Sequence, residues 1–217
     1  NGVPSDKLEL YKSKYPTHRS YSSTEEVMVA GTAQAYILAA SDPWIKRVYC
    51  FHLLQPIQSS KESSEADDYM GLAETLPDGK FHCRDAYFSY KTVAAMLDGA
   101  TYQGQLPLGS GLHAFEFAKG EQSLIALWSS EPDVRMVFPK APKIKRAINV
   151  VGEALPSDGN SLALSRAPLY LECGASDAKE LKAQLQAAQL KGAARFAVAW
   201  EPFSIDQRSG DGILGIS

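Results

Sequence analysis

Apolar and polar positions change their period near residue 100. Before that point the spacing is helical in two segments. Residues 25–40, EEVMVAGTAQAYILAA, set Val27, Val29, Ala30, Ala33, Tyr36 and Ile37 three and four apart, which predicts an amphipathic helix. Ser23 with Glu26 three positions later makes a capping box at its start, and Asp42-Pro43 ends it. Glu25 and Glu26 then sit in the first turn, where carboxylates meet the positive end of the helix dipole. Gly31 within the pattern implies close packing. Residues 84–97, RDAYFSYKTVAAML, predict a second helix that stops at Gly99.

Between the helices, residues 46–55 (KRVYCFHLLQ) are nearly continuously apolar and rich in aromatic and β-branched side chains. That composition predicts a strand buried on both faces. Upstream, Leu8 and Leu10 alternate with polar neighbours as a short strand that Pro16 closes. Strand, helix and buried strand form a βαβ unit. The Ser-, Glu- and Asp-rich residues 56–68 read as an exposed rim loop.

Beyond Gly99 the runs are short, alternating and punctuated by Gly, Pro and Asp. GLHAFEFAKG, QSLIALWSS, DVRMVFPK, KRAINVVGEALP, NSLALSRAP and LYLEC predict strands spaced about ten residues apart, the pattern of an antiparallel sandwich. Lys119-Gly120 and Asp158-Gly159-Asn160 suit hairpin turns. Residues 177–190 follow as a helix and residues 192–207 as one more strand. The expected fold class is therefore α/β plus all-β. Its segments are an α/β portion over 1–99, whose βαβ unit suits a parallel sheet or a barrel, a sandwich over 100–176 and a helix-plus-strand extension over 177–217.

Composition narrows the chemistry. The chain has 217 residues, 45% apolar and 22% charged, as in an ordinary globular protein. A net charge of -3 with no basic run longer than residues 139–146 argues against a nucleic-acid groove. No apolar run nears the length of a membrane span. The start, NGVPSDK, lacks the basic and apolar regions of a signal peptide, and its want of Met reads as trimming or cleavage, with missing upstream residues an equal alternative. Three widely spaced cysteines, Cys50, Cys83 and Cys173, make neither a metal knuckle nor a disulfide framework. Buried thiols are the favoured reading and a Cys50–Cys83 bridge the other. The four histidines have no ligand spacing, so no metal is expected. No cofactor is expected either. SGDGILG (209–215) has no following helix to complete a nucleotide fingerprint.

Several stretches, in order, resemble the C-terminal part of retaining (β/α)8-barrel glycoside hydrolases of the β-xylosidase and iduronidase-like clan. YSSTEEVMVAGTAQAYILAA, with Gln34-Ala35, is similar to the seventh barrel helix, and KRVYCFHLLQ to the eighth barrel strand. Arg84-Asp85-Ala86-Tyr87 stands where that family usually has Lys-Pro-Ala-Tyr, and the later runs resemble its closing sandwich. The resemblance covers residues 8–172. It implies a carbohydrate ligand, an extracellular or cell-surface setting, and a barrel whose remaining strands come from a complementary polypeptide, with self-association the alternative.

It also implies a site at the mouth of the barrel strands. Tyr15-Pro16-Thr17-His18 matches an aromatic-Pro-Thr-His corner, so Tyr15 and His18 become candidate substrate contacts, with Phe51 and His52 beside them on the strand. The position of the nucleophilic glutamate reads Tyr11-Lys12. A retaining glycosidase needs two carboxyl groups about 5 Å apart. A lysine ammonium has only donors, so Lys12 can hold a sugar hydroxyl but cannot attack an anomeric carbon. Asp67 and Asp68 are a carboxylate pair in the rim loop, better read as solvated charge. Trp128 and Trp200 read as core. The function expected is a glycoside-hydrolase-like module that binds carbohydrate or helps hydrolyse a glycosidic bond within a larger protein or complex. The alternative is a noncatalytic structural or assembly module on the same scaffold. Catalytic residues are not assigned.

Overall fold

The computed structural model describes residues 24–50, 53–55, 71–76, 78–109, 111–156 and 159–192. Helix α1 (Thr24–Ser41) runs through the first helical pattern. Its buried Val29, Ala33 and Ile37 recur every four residues and face helix α2 (Asp85–Leu97), which answers with Ala86, Ser89, Val93 and Met96. The buried Ser89 hydroxyl donates to the Val29 carbonyl at 2.7 Å, and Tyr36 meets Tyr90 edge-on at 5.3 Å. Asp42 closes α1. Its carboxylate accepts the Trp44 amide at 2.8 Å while its carbonyl accepts the Ile45 amide.

The helix pair lies on an antiparallel five-stranded sheet. Its strands are β4 (Thr101–Gln105), β5 (Leu112–Lys119), β6 (Gln122–Ser129), β8 (Arg146–Ile148) and β10 (Leu169–Gly174), in the order β4-β5-β6-β10-β8. Period-two alternation sorts the side chains to its two faces. Phe115, Phe117, Leu124, Trp128, Ile148 and Tyr170 point toward α1 and α2. Leu112, Ala114, Ile125, Leu127, Leu171 and Cys173 point the other way.

That second face is covered by a three-stranded antiparallel sheet and a helix. The sheet has β7 (Val134–Val137), β9 (Ser161–Leu164) and β11 (Gln189–Lys191) in the order β11-β7-β9, and helix α3 spans Ala178–Ala187. Val134, Met136, Leu162, Leu164, Leu181 and Leu185 supply this layer's share of the core. Lys182 on α3 pairs with Glu116 on β5 at 2.8 Å, and Glu116 also accepts from Ser123 at 3.2 Å. A third small sheet, β1 (Leu54–Gln55), β2 (Ala73–Thr75) and β3 (Phe81–Cys83), precedes α2, with β1 parallel to β2. Helices thus combine with antiparallel sheets, the mixed α/β and all-β character that the sequence pattern predicts.

Five expectations need correction. Residues 46–50 are exposed and lack regular structure, and in the described remainder of the run only Leu54–Gln55 pairs as a strand. Asp158 lies outside the described residues, but the expected hairpin at 158–160 is not made, because the flanking β8 and β9 belong to different sheets. The other predicted hairpin is present, with Gly120 and Glu121 looping between paired Lys119 and Gln122. Gly31 is exposed on α1 and a Cβ there would meet nothing within 4 Å, so close packing is not its role. Of the thiols only Cys173 is buried, Cys50 is exposed, Cys83 is half-buried, and none is in a disulfide. The α3 pattern also ends early, since Leu190 lies in β11. The expected strands at 8–10 and 192–207 and the capping Ser23 lie outside the described residues, apart from Gly192.

Candidate functional site

The candidate contacts Lys12, Tyr15, His18, Phe51 and His52 lie outside the described residues, as do Asp67, Asp68 and Trp200. What the structure does place is the chain that leads to Phe51 and His52. After α1, Trp44 is 88% exposed and Tyr49 78%. Ile45, Val48, Leu53 and Leu54 are also exposed. The stretch is tethered at both ends. Lys46 Nζ donates to the Pro43 carbonyl, and Leu54 and Gln55 register against Ala73 and Glu74. Within the described residues β1 is an edge strand, paired on one side only. Burial pushes the Tyr36 phenol up, and the neighbouring Cys50 and Tyr90 add to the effect.

A second feature is an aromatic stack on the helix-facing side of the five-stranded sheet. His113 lies over Trp128 at 5.1 Å, and Phe115 lies on Trp128 at 5.2 Å, both nearly parallel. His113 Nε2 is 2.9 Å from Ser130 Oγ. Burial holds the imidazole below its ordinary value, favouring the neutral ring. Arg166 Nε donates to the Ser130 carbonyl and Gln34 Nε2 to the Arg166 carbonyl, so α1 is fastened to this end of the sheet. Trp128 is buried, as its strand position predicts.

The third feature is a cavity of about 350 Å³ where the five-stranded sheet meets the β11-β7-β9 sheet. Val134, Leu164 and Leu169 line it but are almost fully buried in the core behind it, and exposed Asp133 and Arg135 lie at its rim with Ser165. Asn149 also lines it, but its side chain is used by its own turn, accepting from the Val151 and Glu153 amides and donating to the Glu153 carboxylate. Asp133 is the one non-glycine residue with positive φ among those described, at 57°. It stands where the chain leaves β6 and crosses to β7 in the other sheet.

No protein-family model matches the chain, and no curated protein matches it either.

Among the described residues no group of three or more His, Cys, Asp or Glu side chains could hold a metal. The carboxylates with ion-pair partners among the described residues spend them structurally: Asp78 on Lys80, Glu116 on Lys182, Glu172 on Arg146, Asp177 on Lys143, and Glu180 on Lys143 and Lys140. Glu180 is held below its ordinary value chiefly by its hydrogen bond from Lys143. The sequence pattern leaves the cavity unseen because its walls come from four separated segments. Asp133 and Arg135 read locally only as the outward positions of the run DVRMVFPK.

Proposed function

We propose that the chain is a glycoside-hydrolase-like module that engages carbohydrate as part of a larger assembly, with residues 44–50, Leu53 and Leu54 as the surface on which a complementary polypeptide docks. The observation that carries this reading is the concentration of exposed large apolar side chains there. Fully burying each such side chain contributes roughly 1.5–3 kcal/mol. Soluble chains seldom leave such runs uncovered unless they bind something. The mixture of side chains argues for protein rather than sugar as the cover. A sugar stacks on flat rings, whereas Ile45, Val48, Leu53 and Leu54 are aliphatic and need an interdigitating partner. Pairing of a further strand along the free side of β1 would extend the small sheet and draw the stretch into it. Within the family resemblance, this is the position of the last barrel strand, and Lys12, Tyr15, His18, Phe51 and His52 would then rim the site. The layered sheets beyond residue 100 would be the accompanying sandwich.

Lys12 at the nucleophile position favours a second reading, that the module binds sugar without hydrolysing it. Light scattering on the purified chain and on a Trp44→Lys/Tyr49→Lys variant tests the docking surface. The wild type is expected to associate or to bind apolar dye strongly, and the variant to do so much less. A wild-type chain that behaves as a compact, stable 23.6 kDa monomer without dye binding overturns the proposal. Turnover of 4-nitrophenyl β-D-xyloside by the isolated chain would sink the noncatalytic reading.

A further inference from the structure

Strand β11 stands at the edge of its sheet with a core-facing side chain uncovered. It pairs with β7, and among the described residues nothing pairs with its other side. Directly opposed residues of an antiparallel pair point to the same face, and Leu190 is opposed to Met136. Met136 is 1% exposed in the core between the two sheets, whereas Leu190 on the same face is 39% exposed. Gln189 and Lys191 oppose Val137 and Arg135 and point the other way. The apolar layer lacks a cover at this edge.

The chain bends directly after β11. Gly192 has φ of 85°, and a Cβ there would lie 2.6 Å from the Asp133 carbonyl oxygen, so the position requires glycine. A left-handed glycine immediately after a strand starts the tight loops that bring a chain back beside itself. Residues 193–217 lie outside the described residues, and their sequence alternates where such a return would begin. Phe196, Val198 and Trp200 share one parity, Arg195, Ala197, Ala199 and Glu201 the other, and Pro202 follows.

We propose that the free side of β11 is the docking edge for residues 195–201 of the same chain, which pair with it antiparallel. Phe196, Val198 and Trp200 then lie on the side of Leu190 and Met136 and cover the open end of the core. Arg195 and Glu201 face solvent. A slip of one residue would turn both charges toward the core, so the parity fixes which face is inward. Closeness in sequence favours this segment over a strand from another molecule, because a short linker gives a high effective concentration. The pairing also removes an open edge that would otherwise recruit other chains. It uses none of residues 44–50, Leu53 or Leu54, and stands or falls apart from the docking reading above.

Nuclear Overhauser contacts in the full, isotope-labelled chain test it. Cross-strand contacts are expected between the backbones of residues 189–191 and 195–201, with further contacts from the Leu190 methyls to Phe196, Val198 or Trp200. Val198→Asp sets a charge on the inward face and should speed hydrogen exchange of the β11 amides about tenfold, whereas Ala197→Asp on the outward face should change it less than about twofold. Absence of the cross-strand contacts overturns the proposal, as does equal exchange in the two variants. Contacts seen only between differently labelled chains in a mixed sample overturn it too, and assign the edge to a second copy. Contacts of Phe196 or Trp200 with Trp44 and Tyr49 in place of Leu190 also overturn it, and put the segment on the other apolar surface.

Discussion

Gly120 and Gly192 both adopt left-handed conformations, with φ of 58° and 85°, yet their surroundings differ. At the β5–β6 turn a Cβ on Gly120 would meet nothing within 4 Å, so alanine there carries only the conformational cost of about 1–2 kcal/mol. At Gly192 the same Cβ would fall 2.6 Å from the Asp133 carbonyl oxygen, a backbone atom that cannot swing aside. The turn must open, or the start of β7 must shift. Gly192→Ala is therefore expected to cost at least about 1 kcal/mol more than Gly120→Ala, by urea denaturation of the two variants side by side. Equal losses would show that Asp133 is not held by the returning chain.

Among the elements, α1 carries a glycine of the opposite kind. Gly31 lies in mid-helix on the exposed side, with open space around its Cα. A glycine there costs backbone entropy and contributes no contact. Gly31→Ala should raise stability by about 0.5–1 kcal/mol, read as a higher urea midpoint at unchanged slope. A loss instead would mean that another chain packs closely on this face, in keeping with the exposed Val27 and Leu38 on the same helix. The sequence pattern signals where α1 begins its apolar face and where it stops, but not which face a single glycine occupies. The same limit runs through the other elements. Six of the eight described strands after residue 100, β5 to β10, are legible because alternation and turn residues are local signals; β4 and β11 are not. Which strands share a sheet is not: β8 joins β10 and β9 joins β7 across long separations. Residues 46–55 show the limit most clearly. A run of β-prone apolar residues states what the chain can pair with, not whether the pairing is made. The candidate contacts Phe51 and His52 inherit that ambiguity, whereas Asp133 and Arg135 come together with Leu164 and Leu169 only once two sheets are stacked.

At the scale of the whole molecule, the change of sequence period near residue 100 coincides with a continuous core rather than a gap. Val29, Ile37 and Val93 from the helices and Phe117, Trp128 and Tyr170 from the sheet belong to one apolar cluster. The sheet therefore shows each of its faces to a different cover, and the helix pair is one of them. A fragment of residues 100–192 would expose Phe115, Phe117, Trp128, Ile148 and Tyr170 at once. Each is worth roughly 1.5–3 kcal/mol on burial. Their sum is comparable with the 5–15 kcal/mol that stabilises a typical domain. The fragment is accordingly expected to bind 8-anilinonaphthalene-1-sulfonate, to associate, and to lose the cooperative unfolding transition. The full chain should melt its helix pair and its five-stranded sheet together, giving coincident curves from far-ultraviolet circular dichroism and tryptophan fluorescence. A monomeric fragment with the full chain's urea midpoint would instead make residue 100 a true division between independent units.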